Sequence, residues 1–384
     1  MPGLAFRSAV AAIVLAAGRS SRMGEFKPLL PFGEETVIGW VVANLRGAGV
    51  ARIHVVTGFK AEALAPELCR LGVTIAHNAD FEGGVMSSVQ TGVAGLPAET
   101  EAFLLMPVDM PLVRASTIAR LLDAASANDA AILYPTFRGE RGHPPLIRRA
   151  LFAEVLAWSG DGGLLALLQR REREALNVPV FDWGCLTDMD RPEDFRRLAS
   201  ALARRRFPDP AECEAMLEAA ATPEPVRRHS RVVAALAAEI ARRLRLAGEP
   251  VDPDRARAAA WLHDIAKGLP HHAEAGATMI AAFGFPELAE AVARHTDLGA
   301  GATRLDETAV VYLADKLVRG ETRVSLEDRF VPALVRYADD LAAFAAANRR
   351  YLGAKAVQEA IEARIGRLDT PRERPRETLI GTPR

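Results

Sequence analysis

The stretch Ile13-Val-Leu-Ala-Ala-Gly-Arg-Ser-Ser-Arg-Met-Gly-Glu-Phe-Lys27 constrains this chain more than any other segment. A short apolar run, Ala11 to Ala16, breaks into a loop holding two glycines, two serines, two arginines and a lysine. A helical pattern from Thr36 to Ala48 follows. A strand that opens into a basic glycine loop and then a helix is a phosphate-binding device. Gly18 and Gly24 let backbone N–H groups come close to oxygens, while Arg22 and Lys27 neutralise charge. A Gly-Arg-Ser loop by itself is also an ordinary strand–helix connection with solvated charges. The Walker pattern G-x-x-x-x-G-K-[ST] does not occur, which removes the usual ATPase reading.

From position 11 to about 204, short β-branched runs alternate with amphipathic helical patterns. Strands are predicted at Ala11–Ala16, Arg52–Val56, Val73–His77, Phe103–Pro107, Ala131–Tyr134 and Leu176–Val180. Helices are predicted at about 36–48, 61–71, 87–94, 115–128, 150–157 and 163–172. This alternation implies right-handed βαβ crossovers, hence an α/β, doubly wound, mostly parallel, Rossmann-like sheet covered on both faces. Ligands of such sheets bind beyond the carboxyl ends of strands, where the loop 17–27 sits. After about 204 the strand runs vanish and 3.6-residue patterns rich in Ala, Leu and Arg continue to about 365. Phe207-Pro-Asp-Pro210 and Thr222-Pro-Glu-Pro225 punctuate the change. The sequence therefore predicts two domains, 9–204 (α/β) and 208–365 (all-α), with a disordered Arg-, Pro-, Thr- and Glu-rich tail over 366–384.

The 384 residues carry a net charge of −1, which argues against a nucleic-acid partner. Cys69, Cys185 and Cys213 lack C-x-x-C spacing and read as reduced thiols. No apolar run reaches the roughly 20 residues of a spanning helix, so no membrane is expected. Cleaving Arg7 to Ala17 as a signal peptide would destroy the loop. A cytoplasmic protein is the expectation.

Two acidic segments fit phosphate chemistry. Met106-Pro-Val-Asp109-Met-Pro111 puts a carboxylate just past a buried strand, and Asp188-Met-Asp190-Arg-Pro192 puts others before the last α/β helix. Each aspartate alone also suits a turn or an N-cap. Together, two carboxylates beside triphosphate oxygens are what Mg²⁺ takes, with phosphates and waters completing the octahedron. Gly83-Gly84-Val-Met86-Ser87-Ser88 opens a helix and forms a second anion cradle or simply a capped start. Arg141-Gly142-His143-Pro144 closes a turn-rich stretch.

The spacing L-A-A-G-x-S-x-R-M-G-x-x-K resembles the signature loop of MobA-like NTP transferases, above all the molybdenum-cofactor cytidylyltransferases. The G-H-P at 142–144 and Asp161-Gly-Gly-Leu-Leu extend that resemblance over about 11–200. The resemblance implies transfer of CMP from CTP to the Mo-molybdopterin cofactor, serving a molybdenum hydroxylase. It assigns the NTP to Leu15, Ala16, Ala17, Gly18, Arg22, Gly24 and Lys27, and Mg²⁺ to Asp109 and Asp190. It gives the acceptor to Gly84, Met86, Ser87, Ser88, Gly142, His143 and Pro144. Met110 stands where many relatives carry Gln. Ala17 in Ala16-Ala17-Gly18 matches the cytidylyl branch, guanylyl members usually showing Ala-Gly-Gly. Another acceptor, such as a sugar phosphate, guanylyl transfer, or a cofactor-binding chaperone or sensor remain alternatives.

Five of the eight histidines fall between positions 229 and 295. A His on one helix, a His-Asp pair on another and a distant Asp form a mixed N/O site for a hard or borderline divalent ion. The order His229, His263-Asp264, Asp315 resembles the H…HD…D pattern of HD-superfamily metal-dependent phosphohydrolases. His272 and His295 match the additional ligands of dinuclear members, which implies one or two ions such as Fe or Mn. Lys267, four residues past His263, is placed on the same helical face to contact a phosphate. His271 has no matching role.

Overall fold

The computed structural model describes residues 6–299 and 304–368. These fall into two compact units that divide between Arg206 and Phe207.

The first unit is built on a predominantly parallel sheet. Its elements begin with β1 (Val10–Ala16), a small hairpin of β2 (Pro31–Phe32) and β3 (Glu35–Thr36), α1 (Val37–Gly47), β4 (Arg52–Thr57), α2 (Ala61–Leu71) and β5 (Thr74–His77). They continue through α3 (Val85–Ala94), β6 (Ala102–Pro107), α4 (Ala115–Ala127), β7 (Ile132–Phe137), β8 (Glu140–Arg141) and β9 (Leu146–Arg148). Then come α5 (Phe152–Ala157), α6 (Gly163–Arg170), β10 (Ala175–Pro179) and α7 (Pro192–Leu202). The strand order is β10-β7-β9-β6-β1-β4-β5, with β8 paired to β7. β1 lies parallel between β4 and β6, while β9 enters antiparallel between β6 and β7. The central strands are apolar along their whole length because both faces are covered. Val10, Ala12 and Val14 of β1 join one buried cluster, and Ile13 joins the other.

One connection holds structure that the sequence does not show, and one helix boundary differs. The loop 17–27 does not run straight into a helix: a 3-10 turn at Lys27–Leu29 and the β2–β3 hairpin intervene. Pro28, Pro31 and Gly33 prevent the helix from starting sooner, and Thr36 caps it by accepting from Gly39 N at 3.0 Å. The helix after Gly84 begins at Val85, two residues ahead of the predicted start.

The second unit comprises α8 (Pro210–Ala219), α9 (Glu224–Leu246), α10 (Pro253–Leu262), α11 (His272–Ala282), α12 (Ala289–Ala293) and α13 (Glu307–Lys316). A two-stranded hairpin of β11 (Val318–Arg319) and β12 (Thr322–Arg323) follows, then α14 (Leu326–Arg336) and α15 (Leu341–Ile365). The all-α expectation thus holds for this unit except for that hairpin. Two-residue strands are too short to leave a period in the sequence. The buried stripe of α9, Val233, Leu236, Ala237, Ile240, Ala241 and Leu244, follows the 3.6-residue period. The predicted tail 366–384 lies, from 369 onward, outside the described residues. Among the described residues no helix is long and apolar enough to cross a membrane.

Candidate active sites

In the first unit each charged group stands beside a buried apolar anchor. Met23 follows Arg22, Val108 and Met110 flank Asp109, and Met189 precedes Asp190. All four anchors belong to the larger core cluster. The anchors fix the loops, and chain alternation leaves the charges facing a common space. Lys27, 7% exposed, lies between the carboxylates: its Nζ is 2.8 Å from Asp190 Oδ1 and 3.2 Å from Asp109 Oδ2. Arg22 Nη1 adds a contact of 2.7 Å to Asp190 Oδ2. Burial pushes the Asp109 carboxyl above its ordinary range against the pull of Lys27, and nearby Asp188 and Asp190 add to the rise. Hydrogen bonds from Lys27 hold Asp190 below its ordinary range. A half-buried, oxygen-only pair already requiring a cationic partner fits Mg²⁺ by donor chemistry.

A cavity of about 470 Å³ opens beside this cluster. Leu15, Ala16, Ala17, Gly18 and Lys27 line it from the predicted nucleotide loop, with Asp109 from the end of β6. Gly24 does not line it; its left-handed φ of +76° closes the loop instead. From the predicted acceptor set, Gly84, Ser88 and His143 reach the cavity. Met86 packs on the second apolar cluster. The Ser87 hydroxyl donates to Asp80 O and Gly84 O at 2.7 and 2.9 Å, so it holds the turn. Gly142 backs onto the Cys185 carbonyl, where a Cβ would sit 2.3 Å from the oxygen, and Pro144 is buried behind His143. Burial lowers the His143 imidazole below its ordinary value, partly offset by Asp109 and Asp188.

The sequence assigns no site role to Asp188, Ser20 or Phe81. Asp188 acts on Asp109, and the Ser20 hydroxyl accepts from Lys27 N at 3.3 Å. Phe81 lines the cavity and packs on Gly58, whose missing side chain makes room for it. Asp188 stands in the doubled D-M-D and Ser20 in the L-A-A-G-x-S-x-R spacing, whereas Phe81 carries no spacing signal.

In the second unit six predicted residues from five separate segments converge. His229 stands on α9 and His272 starts α11. His295 follows α12, and Asp315 lies near the end of α13. His263 and Asp264 lie in the turn after α10, because the regular helix stops at Leu262. The expectation that Lys267 shares a helical face with His263 is therefore corrected. Gly268 (φ +102°) and Pro270 follow in a run of turns, and Lys267 Nζ is 3.1 Å from Asp264 Oδ2. His271 is the left-handed residue just before α11.

The ligand atoms of His229, His263 and Asp264 lie within 4.8 Å of one another, and so do those of Asp264, His272 and His295. Asp264 is common to both groups. Its Oδ1 is 3.3 Å from His272 Nε2 and 3.4 Å from His295 Nε2. Asp315 Oδ1 is 3.2 Å from His229 Nε2 and 3.6 Å from His263 Nε2. Backbone carbonyls fix the tautomers: Nδ1 of His229, His263 and His295 contacts Gly320 O, Ala260 O and Val292 O at 2.8, 2.7 and 2.6 Å. A carbonyl only accepts, so the proton sits on Nδ1 and Nε2 faces the cluster, as in histidines that bind metal. His263 Nε2 and His272 Nε2 are buried and without a hydrogen-bond partner. Buried nitrogens left unsatisfied inside a carboxylate cluster fit divalent ions. Burial would lower His263, but Asp264 and Asp315 outweigh it and push it up to about 10. Burial keeps His272 and His295 below their ordinary value.

The second unit holds two ligand groups sharing one aspartate, and the first a lysine-bridged aspartate pair beside a glycine loop. Residues 12–175 match the MobA-like NTP transferase domain and residues 226–320 the HD domain, so the chain carries both. The first unit thus carries a nucleotidyltransferase domain of MobA-like type, similar to a molybdenum cofactor cytidylyltransferase. Over 189 residues the chain is 29% identical to the molybdenum cofactor cytidylyltransferase of Escherichia coli strain K12, covering 49% of this chain and 94% of that one. It is 36% identical over 124 residues to the bifunctional protein GlmU of Rhizorhabdus wittichii, covering 32% of this chain and only 27% of that one. Among solved structures, Rv0371c from Mycobacterium tuberculosis H37Rv is 28% identical, with a TM-score of 0.44 over 50% of this chain and 97% of that one.

Proposed function

We propose that the first unit transfers CMP from CTP to the Mo-molybdopterin cofactor, supplying the dinucleotide form to a molybdenum hydroxylase. The observation that carries this reading is Lys27 held between Asp109 and Asp190 beside a cavity edged by Leu15 to Gly18. The 29% identity to the Escherichia coli cytidylyltransferase supports the choice of acceptor. A terminal phosphate oxygen of the acceptor bonds to the α-phosphorus of CTP, and the bond from that phosphorus to pyrophosphate breaks. Such a transfer needs positioning and charge neutralisation more than covalent help. Lys27 and Arg22 neutralise the departing pyrophosphate, and Gly84, Ser88 and His143 border the acceptor side. Mg²⁺ held by Asp109 and Asp190 supplies the remaining positive charge when bound. Ala17, 4% exposed, lines the cavity beside Gly58, as does Phe81, and in this reading its methyl group limits the space for the base. Incubating the protein with Mg²⁺, Mo-molybdopterin and each NTP in turn tests the assignment. Cytosine dinucleotide and pyrophosphate are expected, and a product made chiefly from GTP overturns the cytidylyl choice.

The second unit, in the same reading, is a metal-dependent phosphohydrolase. Its support is the six-residue cluster with Nε2 atoms aimed inward. His229, His263, Asp264 and Asp315 hold one ion and His272 and His295, with Asp264, a second. Such ions, Fe or Mn among them, supply Lewis acidity when bound. A water oxygen bonds to phosphorus, the P–O bond to the leaving group breaks, and the leaving oxygen takes a proton. Elemental analysis together with phosphate release tests it; no bound metal after reconstitution makes the unit a binding module instead.

A further inference from the structure

The cavity at the histidine–aspartate cluster extends well past the ligand residues. Its volume of about 710 Å³ falls in the range of about 300–1,000 Å³ that encloses a whole organic ligand. Beyond the ligand residues and their neighbours, one wall of it comes from α14 and α15, which lie past the residues matched by the HD domain.

These two helices bring cations and an apolar surface. Lys267 and Lys316 are already bonded to Asp264 and Asp315. Arg329 gives a single N–H to Val318 O at 3.1 Å, which leaves the rest of its guanidinium donors. The Arg350 side chain forms no ion pair among the described residues. Ala343, Ala346, Ala347 and Arg350 follow the i, i+3, i+4, i+7 spacing and so share one face of α15. Their methyl groups take little room. The Phe330 ring, set against Tyr351 at 5.6 Å between centroids, presents a fixed flat surface beside them.

Resting on the hydrolase reading above, we propose that α14 and α15 form the specificity half of this site. Arg329 and Arg350 hold a second anionic group, apart from the one at the metal ligands, and the Phe330–alanine surface receives a flat ring. The substrate class is therefore a ring-bearing molecule with at least two phosphates, such as a nucleoside triphosphate. A small phosphomonoester would leave both guanidinium groups and most of the cavity unused.

The test uses full-length protein reconstituted with Mn²⁺ and given no acceptor. Phosphate release is followed from the four ribonucleoside triphosphates, their monophosphates and p-nitrophenyl phosphate. The wild type should favour its best triphosphate over the matching monophosphate. Arg329→Ala and Arg350→Ala should each lower that kcat/KM ratio by about tenfold to a hundredfold, the range of a lost charge-assisted hydrogen bond. Ala346→Phe, which fills the ring space, should lower it too, and Arg350→Lys should restore part of it. Metal content, measured on every variant, should stay at the wild-type value. A ratio unmoved by all three variants, or a wild type that prefers monophosphates, overturns the inference alone. A wild type that neither holds metal nor releases phosphate overturns the hydrolase reading and this inference with it.

Discussion

The Nζ atom of Lys27 stands 2.8 Å from Oδ1 of Asp190, although the two residues are 163 positions apart in the chain. The same ammonium reaches Asp109 at 3.2 Å, so one buried cation balances carboxylates delivered by the middle and the far end of the α/β unit. The loop after β1, the end of β6 and the approach to α7 meet at this point.

Asp109 is the carboxylate whose loss tests that meeting point. Asp109→Asn keeps the shape and removes the charge. It should cut pyrophosphate release in the presence of acceptor by about two orders of magnitude or more, in the range of lost electrostatic stabilisation. The far-UV spectrum and unfolding midpoint should hold. Release near the wild-type rate would remove Asp109 from the reaction.

Asp182 is the buried hub behind the second acidic loop. It accepts from Arg114 N at 2.8 Å, Thr117 Oγ1 at 2.6 Å and Gly184 N at 2.9 Å, and it pairs with Arg205. Asp182→Ala strands these donors and should lower stability by about 3 kcal/mol or more, as expected when one partner of a buried charge network is removed. Urea unfolding measures it. A loss below about 1 kcal/mol would show that water replaces the carboxylate.

Asp264 belongs to both ligand groups, whereas the histidines divide between them. His263→Ala with Asp264→Ala should abolish metal binding altogether. Replacing His295 alone should lower the content from about two equivalents toward one, and so should replacing His229 alone. Elemental analysis of the purified variants decides it; equal losses from every single replacement would mean one shared ion.

Glu214 of α8 ties that helix to its neighbours through Arg231 at 2.7 Å, Arg227 at 2.8 Å and Trp261 Nε1 at 2.9 Å. Burial alone would raise its carboxyl, but these hydrogen bonds hold it down at about 2, against an ordinary 4.5. A depressed carboxylate stabilises fully above its unfolded pKa and loses that contribution as pH falls through the folded value. The unfolding midpoints of wild type and Glu214→Gln should therefore differ most at neutral pH and converge between pH 4.5 and about 2. A pH-independent gap would assign the difference to packing.

Much of this was legible in the chain because the informative patterns are local. The run into Ala11–Ala16, the aspartate just past β6 and the ordered His, His-Asp and Asp positions carry their own period or spacing. What escaped depends on long-range placement. β9 has three residues between Pro145 and a 3-10 turn, too few to show alternation, yet it reverses the chain beside β6. The β11–β12 hairpin is equally silent in sequence, although Gly320 in its turn orients His229. Lys267 was misplaced because a helical spacing was extended through Gly268 and Pro270, where the chain is turning. Ser87 and Ser88 look alike in sequence. Only packing against Asp80 and Asn78 sets one to holding a turn and leaves the other at the cavity.

The imidazole of His263, enclosed by Asp264 and Asp315, has a further consequence. The two carboxylates favour its charged form, whereas burial favours the neutral form of His272 and His295. On the proposed metal reading, an ion entering the cluster would compete with a hydrogen ion on the His263 ring. Uptake on that reading would strengthen as pH rises. The occupancy of the second site would then follow the acidity of its surroundings.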